Sequence, residues 1–369
     1  MKFSCEKHLL QEAVSIASRC AATKSPVTAL EGLLITANEN IRITGYNMKT
    51  GIYTSFPADI SEKGSVVLST RLFGEIVRNL PDGIVYISSA DDLKVSITCG
   101  ASDFSIMGTD SHDYPELPVV DRQKYIAFPQ NIMASMIKQT IFAVSDNESR
   151  PVYMGCLFEI EENTLSIVAV DGYRLALRRE YIENGEMENC TFIVPGNALT
   201  EVEKLCSGEE NIQITVGEKH ISFVIGGTVV ISRRIEGEFL NYKKSIPASF
   251  GTEVEADREQ LEKMVSRVSL IIDEHTKYPI QVSFAADRMM IKCRTGIGRG
   301  EDECDVKVTG SDDIKIGFNN KYLLDAVRAA PTDKIMIGMN TASSPCVIRP
   351  ADGSDKFSYM ILPVRLRND

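Results

Sequence analysis

Apolar residues recur along the chain at two periods that alternate in a fixed order. Leu9, Leu10, Ala13, Val14 and Ala17 form a stripe at helical spacing; so do Ile132, Met133, Met136 and Ile137, and later Leu261, Met264, Val265 and Val268. After each stripe come a loop and a strand, over 32–35, 155–158 and 280–284, and then a polar turn into a second β-branched strand. A second helix is predicted in register in each third, over 71–80, 197–206 and 319–330. Pro81 and Pro331 close two of these, because proline cannot continue a helix. Alternating strands follow at 85–88, 212–216 and 335–338, and every third ends in a proline-containing extended segment, at 114–118, 239–247 and 359–366.

The whole order repeats three times at a spacing of about 125 residues, longer than the small solenoid periods. It predicts three α+β domains, 1–124, 125–246 and 247–369, each with two helices on one face of an antiparallel sheet of about eight strands. The length of 369 residues agrees, being too great for one compact core. No apolar run approaches the roughly 20 residues that span a bilayer. Charge appears at once after Met1, so a cytoplasmic, unexported protein with no membrane partner is expected. Nine scattered cysteines without a C-x-x-C pair predict reduced, mostly buried thiols.

A net charge of −11 argues at first against a nucleic-acid partner. The charge is unevenly distributed, however. In the predicted helical segments, 6–19, 71–80, 126–145, 197–206, 257–270 and 319–330, eleven cations face nine acids, a net +2 that leaves −13 for the remainder. Arg71 and Arg78, like Lys321 and Arg328, are seven residues apart and share a helix face away from the apolar stripe. Such faces could line a phosphate backbone, or be ordinary solvated surfaces. No tryptophan and no base-reading motif occurs, so any DNA contact should be directed to the backbone, independent of sequence and sensitive to salt.

Catalytic signals are weak. Four histidines cannot supply a His-rich metal site, and no metal or cofactor is expected. The clusters Asp110-Ser111-His112-Asp113 and Asp273-Glu274-His275 read as solvated turns. The glycine-rich run at 296–300 leads into Glu301-Asp302-Glu303 and another strand, without the helix N-terminus a phosphate loop requires. A non-enzyme is predicted.

Two segments carry a family likeness. Val170-Asp171-Gly172-Tyr173-Arg174-Leu175-Ala176 is similar to a T-D-G-H/Y-R-L segment, and Tyr359-Met360-Ile361-Leu362-Pro363-Val364-Arg365-Leu366 to a Y-V-x-x-P-M/V-R-L ending, both of the β subunit of bacterial DNA polymerase III. Residues 145–150 and 239–247 match weaker stretches, and the resemblance spans the full length. It implies a sliding clamp: three similar domains per chain, joined head to tail with a second copy into a six-domain ring that encircles double-stranded DNA. Its implied partners are the polymerase III catalytic subunit, the clamp loader and other proteins bearing a clamp-binding peptide. A repeat-built peptide-binding scaffold that does not encircle DNA is the alternative.

The resemblance also assigns residues. For the subunit contact it implies Phe104 and Ile106 against Leu270 and Ile271, with Glu301-Asp302-Glu303 as an acidic side; Asp103 stands where a cation is expected. A cleft for partner peptides would use Tyr153, Val170, Gly172, Tyr173, Arg174, Leu175, Leu240, Ser245, Cys346, Met360, Ile361, Leu362, Pro363, Val364 and Arg365. There Leu175, Leu240, Met360 and Leu362 are apolar walls and Arg174 a donor, while Leu240 and Ser245 replace a proline and a valine common in the family. Residues 360–369 should wall this cleft, so their removal is expected to abolish partner binding and spare the subunit contact. For DNA it implies Lys24, Asn147 and Arg150, to which the charge pattern adds Arg71, Arg78, Lys138, Lys204, Lys321 and Arg328.

Overall fold

The computed structural model describes residues 1–121, 125–182, 189–273, 278–285, 287–310 and 314–366. Among these are six α-helices: α1 (Lys7–Ser18), α2 (Thr70–Asn79), α3 (Gln130–Lys138), α4 (Gly196–Leu205), α5 (Arg258–Ser269) and α6 (Asn320–Ala329). They stand two to each predicted repeat. Their buried faces are the apolar stripes: Leu10, Ala13, Val14, Ile16 and Ala17 on α1, and Leu261, Met264, Val265 and Val268 on α5. Side-chain caps set several starts by satisfying first-turn N–H groups. Ser69 accepts from Leu72, Asp257 from Gln260, and Asn319 from Lys321 and Tyr322.

One predicted helix, 126–145, is much shorter in the structure. Ile126–Pro129 is a strand, with Ile126 and Phe128 buried on one side and Ala127 exposed, and α3 begins only after Pro129. At the other end the buried Thr140 hydroxyl donates to the carbonyls of Met136 and Ile137, and a short 3-10 turn, Ile141–Ala143, replaces further α-helix.

All strand pairs among the described residues are antiparallel, and the chain divides into two compact units. The first comprises 1–133 and 201–234. It holds a five-stranded sheet in the order Asp59–Glu62, Lys2–Glu6, Ile84–Ser89, Lys94–Cys99, Ser102–Met107. Its eight-stranded sheet runs Ile126–Pro129, Asn211–Val216, His220–Ile225, Thr228–Arg233, Thr50–Phe56, Ile41–Tyr46, Gly32–Ala37, Gly64–Ser69. α1 and α2 pack together here, over a core that includes Leu10, Phe73, Ile43, Ile87 and Ile97.

The second unit comprises 134–200 and 235–369. Its nine-stranded sheet runs Cys190–Pro195, Gly155–Glu161, Thr164–Val170, Arg174–Tyr181, Phe357–Ile361, Cys346–Pro350, Lys334–Met339, Thr252–Asp257, Lys307–Gly310, and its four-stranded sheet Gly298–Asp305, Arg288–Thr295, Ile280–Ala285, Lys315–Phe318. α5 packs beside α6 and over the strands Arg288–Thr295 and Gly298–Asp305. Both large sheets join strands of the central repeat to strands of a neighbouring one, so each unit takes part of that repeat. No described helix is long and apolar enough to cross a membrane.

Candidate binding face and surface cations

The 170–176 segment is a tight hairpin corner. Asp171 Oδ1 accepts from the N–H groups of Tyr173 (2.8 Å) and Arg174 (3.0 Å), and Gly172 takes φ 96°, a left-handed conformation that glycine adopts without strain. Beyond this corner the register pairs Val170 with Leu175, Leu175 with Met360, and Met360 with Val347. Directly paired residues share a sheet face. These four, with Leu157, Val168, Leu177, Ile193 and Tyr242, form one buried apolar cluster, rimmed by half-buried Val152, Tyr153, Ile235, Phe239, Ile246 and Phe250. Tyr153 meets Phe239 edge to face at 5.6 Å.

The same alternation turns Arg174, Ile361 and Cys346 to the opposite face, since Arg174 pairs with Ile361 and Ile361 with Cys346. Cys346 and Ile361 are fully buried and lie outside the apolar cluster, in which Val347 stands beside Met360. Nor is Arg174 a free donor. Its guanidinium bonds Asp171 Oδ2 at 2.9 Å and Asp325 Oδ2 at 2.6 Å, and stacks over the Tyr322 ring at 4.4 Å. With only 9% of its surface exposed, it ties α6 to the sheet.

A linker and a tail border the apolar face. Tyr242 donates its hydroxyl to Glu159, and Lys243 bridges Glu159 (3.0 Å) and Glu161 (2.6 Å). Burial first, then the Glu159 contact, pushes the Tyr242 hydroxyl up to about 12. This latch anchors the segment carrying Leu240, which is exposed, and Ser245, which is half-buried. The tail leaves the strand Phe357–Ile361 with Leu362 N–H donating to Tyr173 O at 2.9 Å and Val364 N–H to Gly317 O at 2.8 Å. Leu362 and Pro363 are half-buried; Tyr173, Val364 and Arg365 are exposed. Neither the latch nor the Arg174–Asp325 pairing is legible in the sequence, because both join residues far apart in the chain.

Five of the expected DNA-contacting cations, Lys24, Arg78, Lys138, Arg150 and Lys321, are exposed and make no ion pair among the described residues. The others are paired: Arg71 with Glu75 (3.3 Å), Lys204 with Glu201 (2.8 Å) and Arg328 with Glu262 (3.0 Å). Asn147 uses its side-chain oxygen to accept from Ser149 N–H in the loop that also carries Arg150. Counted over α1 to α6, ten cations oppose seven acids, so the helices keep a net positive charge in a chain of −11.

Phe104, 39% exposed, and half-buried Ile106 lie on Ser102–Met107, a free edge of the five-stranded sheet. In the second unit Leu270 is 82% exposed and Ile271 half-buried just after α5. The acidic run is engaged within its own unit, Glu301 by Lys292, Asp302 by Arg267 and Glu303 by Arg288.

Elsewhere, His112 and Asp110 form an exposed pair at 2.7 Å in a short turn, and Asp110 caps that turn. Glu274 and His275 lie outside the described residues. Residues 296 and 297 form the tip of the hairpin joining Arg288–Thr295 to Gly298–Asp305, not a phosphate loop. No described cysteine is disulfide-bonded, and eight of the nine are buried.

Repeated pairs of helices on antiparallel sheets define the DNA clamp class of fold. Descriptions of the DNA polymerase III beta subunit match the chain end to end: the N-terminal domain over 1–118, the central domain over 127–241 and the C-terminal domain over 243–365. A beta sliding clamp of Staphylococcus aureus is 31% identical over 99% of both chains. Among solved structures, a putative DNA polymerase III beta subunit from Eubacterium rectale superposes with a TM-score of 0.94 at 34% identity, covering 99% of each chain. The DNA polymerase sliding clamp of Bacillus subtilis gives 0.96 at 27% identity over 100% of both. The chain belongs to the DNA polymerase III beta subunit family, the sliding clamps, which are non-catalytic processivity factors of DNA replication.

Proposed function

We propose that two copies of this chain join head to tail into a closed ring of six domains, with boundaries near 124/125 and 246/247 in each copy, and that the ring encircles duplex DNA in the cytoplasm. The end-to-end match to all three clamp domains carries this reading. A head-to-tail contact that closes after two copies leaves no free end, so the ring holds DNA by topology while its phosphate contacts stay individually weak. Lys24, Arg78, Lys138, Arg150 and Lys321 are the cations best placed for such contacts, since they are exposed and make no ion pair among the described residues, and the neutral, exposed Asn147 lies in the same loop as Arg150. Arg71, Lys204 and Arg328 contribute less, each already sharing a carboxylate.

The free edge bearing Phe104 and Ile106 meets Leu270 and Ile271 of the second copy. The apolar face around Leu175, Met360 and Val347, with Tyr153, Leu240 and Leu362 at its border, receives an extended peptide with apolar anchors from the polymerase catalytic subunit, the clamp loader or another partner.

Loading on nicked circular plasmid followed by linearisation tests the ring. Protein retained on circles and lost from linear ends is expected. Equal retention on both forms would instead fit the scaffold reading, in which peptides are bound without encircling DNA.

A further inference from the structure

The first unit repeats the sheet face of the second with different side chains. Its corner runs from Asn47 to Thr50: Asn47 Oδ1 accepts from the N–H groups of Lys49 (3.1 Å) and Thr50 (2.8 Å), as Asp171 does from Tyr173 and Arg174. Beyond it Tyr46 pairs with Gly51, Gly51 with Ile231 and Ile231 with Ser222, the ladder that Val170, Leu175, Met360 and Val347 form in the second unit. By the same register Thr36, paired with Arg42, holds the place of Glu159, paired with Ser166. The linker crossing this face supplies Leu117, packed on Gly51, where the second unit has Tyr242. The first unit therefore has neither the phenol nor the carboxylate of the latch.

An open cavity of about 670 Å³ lies here, lined by the 114–120 linker and the sheet. Half-buried Leu34, Tyr53 and Leu117 give it apolar walls. Exposed Arg42 stacks over the Tyr53 ring at 4.5 Å and makes no ion pair among the described residues. Its direct cross-strand neighbours, Thr36 and Ser55, carry only hydroxyls. Stacking orients a guanidinium through its face and leaves the N–H groups in its plane for a carboxylate. Of the other charged groups lining the cavity, His112 is bonded to Asp110 at 2.7 Å and Glu116 is exposed on the linker. Fully buried Ser222 also lines it, with a hydroxyl that has no hydrogen-bond partner among the described residues. An extended peptide would need unpaired main-chain groups along the floor, whereas the strands Ile41–Tyr46 and Thr50–Phe56 are paired on both edges.

We propose that this cavity is a binding site for small aromatic carboxylates, with the carboxylate on Arg42 and the ring against Leu34 and Leu117. Such a ligand supplies from outside the two groups, ring and carboxylate, that Tyr242 and Glu159 supply within the second unit. The site belongs to the first unit alone and stands whether or not the chain encircles DNA.

Fluorescence titration of the full chain with naphthoate, and with its neutral amide as the control, tests this; the protein has no tryptophan to overlap the probe. The acid should bind about tenfold more tightly than the amide, the order of one charge-assisted hydrogen bond. Arg42→Gln should reduce the acid to the level of the amide and leave the amide unchanged. Thr36→Glu places a carboxylate directly opposite Arg42 and should have the same effect without lowering the unfolding temperature, because opposite charges across a strand pair are stabilising. That variant decides alone should Arg42→Gln fold poorly. Equal binding of acid and amide overturns the proposal, as does acid binding that survives both substitutions, which would put the probe elsewhere on the molecule. Displacement of naphthoate by an acidic peptide at lower concentration than by benzoate would reassign the cavity to peptides and overturn it too.

Discussion

Arg174 shows at the scale of one residue how a motif side chain can be spent inside the protein. Two carboxylates and an aromatic ring surround its guanidinium, so removing it leaves Asp171 and Asp325 close together, 12% and 24% exposed, without their cation. Arg174→Ala should lower the unfolding free energy by about 3 kcal/mol, the scale for breaking a largely buried pair by removing one partner. Urea titration checks this, and a loss below about 1 kcal/mol would show that the pairing is not structural. Tyr242 gives a pH signature. Its folded hydroxyl is raised from near 10 to about 12, so the protonated phenol is favoured in the folded state. That contribution is complete below pH 10 and disappears as pH rises from about 10 to about 12. Stability should fall across this window, and Tyr242→Phe should flatten the fall; an unchanged slope in the variant would contradict the assignment.

At the scale of elements, helix starts and the tail have separable roles. Ser69 and Asp257 each satisfy a first-turn N–H, so Ser69→Ala or Asp257→Ala should cost about 1 kcal/mol without altering partner binding, as thermal unfolding and peptide titration can verify. The tail demands a finer cut than removal of 360–369. Met360 and Ile361 are buried strand positions, so their loss would damage the nine-stranded sheet itself. Deleting 363–369 avoids this. Alternatively, Gly317→Ala would place a Cβ 2.4 Å from Val364 O and push the tail off its strand. Either change should weaken peptide binding while the protein still elutes as a dimer; a monomer on gel filtration would move the tail into the subunit contact.

For the whole molecule, the contrast between a −11 chain and net-positive helices bears on DNA. Contacts confined to phosphates predict binding that declines steeply with salt and ignores sequence. Combined Lys24→Ala and Arg150→Ala should reduce loading on plasmid and make the salt dependence shallower by about two counterions per copy of the chain, with the dimer intact. A slope equal to that of the unaltered protein would remove these residues from the DNA surface. Exposed Leu270 and Phe104 make a different prediction. Leu270→Asp should favour the monomer without lowering the unfolding temperature of either unit, because that side chain contributes little to its own core.

Helix stripes, strand alternation, proline stops and the threefold order were legible because each is set by neighbours a few residues apart. The buried faces of α1 and α5 follow directly from that spacing. The 170–176 corner was also legible, since Asp171, Gly172 and the N–H groups they organise are contiguous. Which side of the sheet each cleft residue occupies was not. A shift of one position exchanges faces, and only the pairing of Cys346–Pro350 with Phe357–Ile361 decided that Val347 rather than Cys346 joins Met360. Tertiary structure alone could bring Arg174 to Asp325 and Tyr242 to Glu159 across wide separations in the chain. Periodicity records which residues must be buried, whereas packing determines which partners they are buried against.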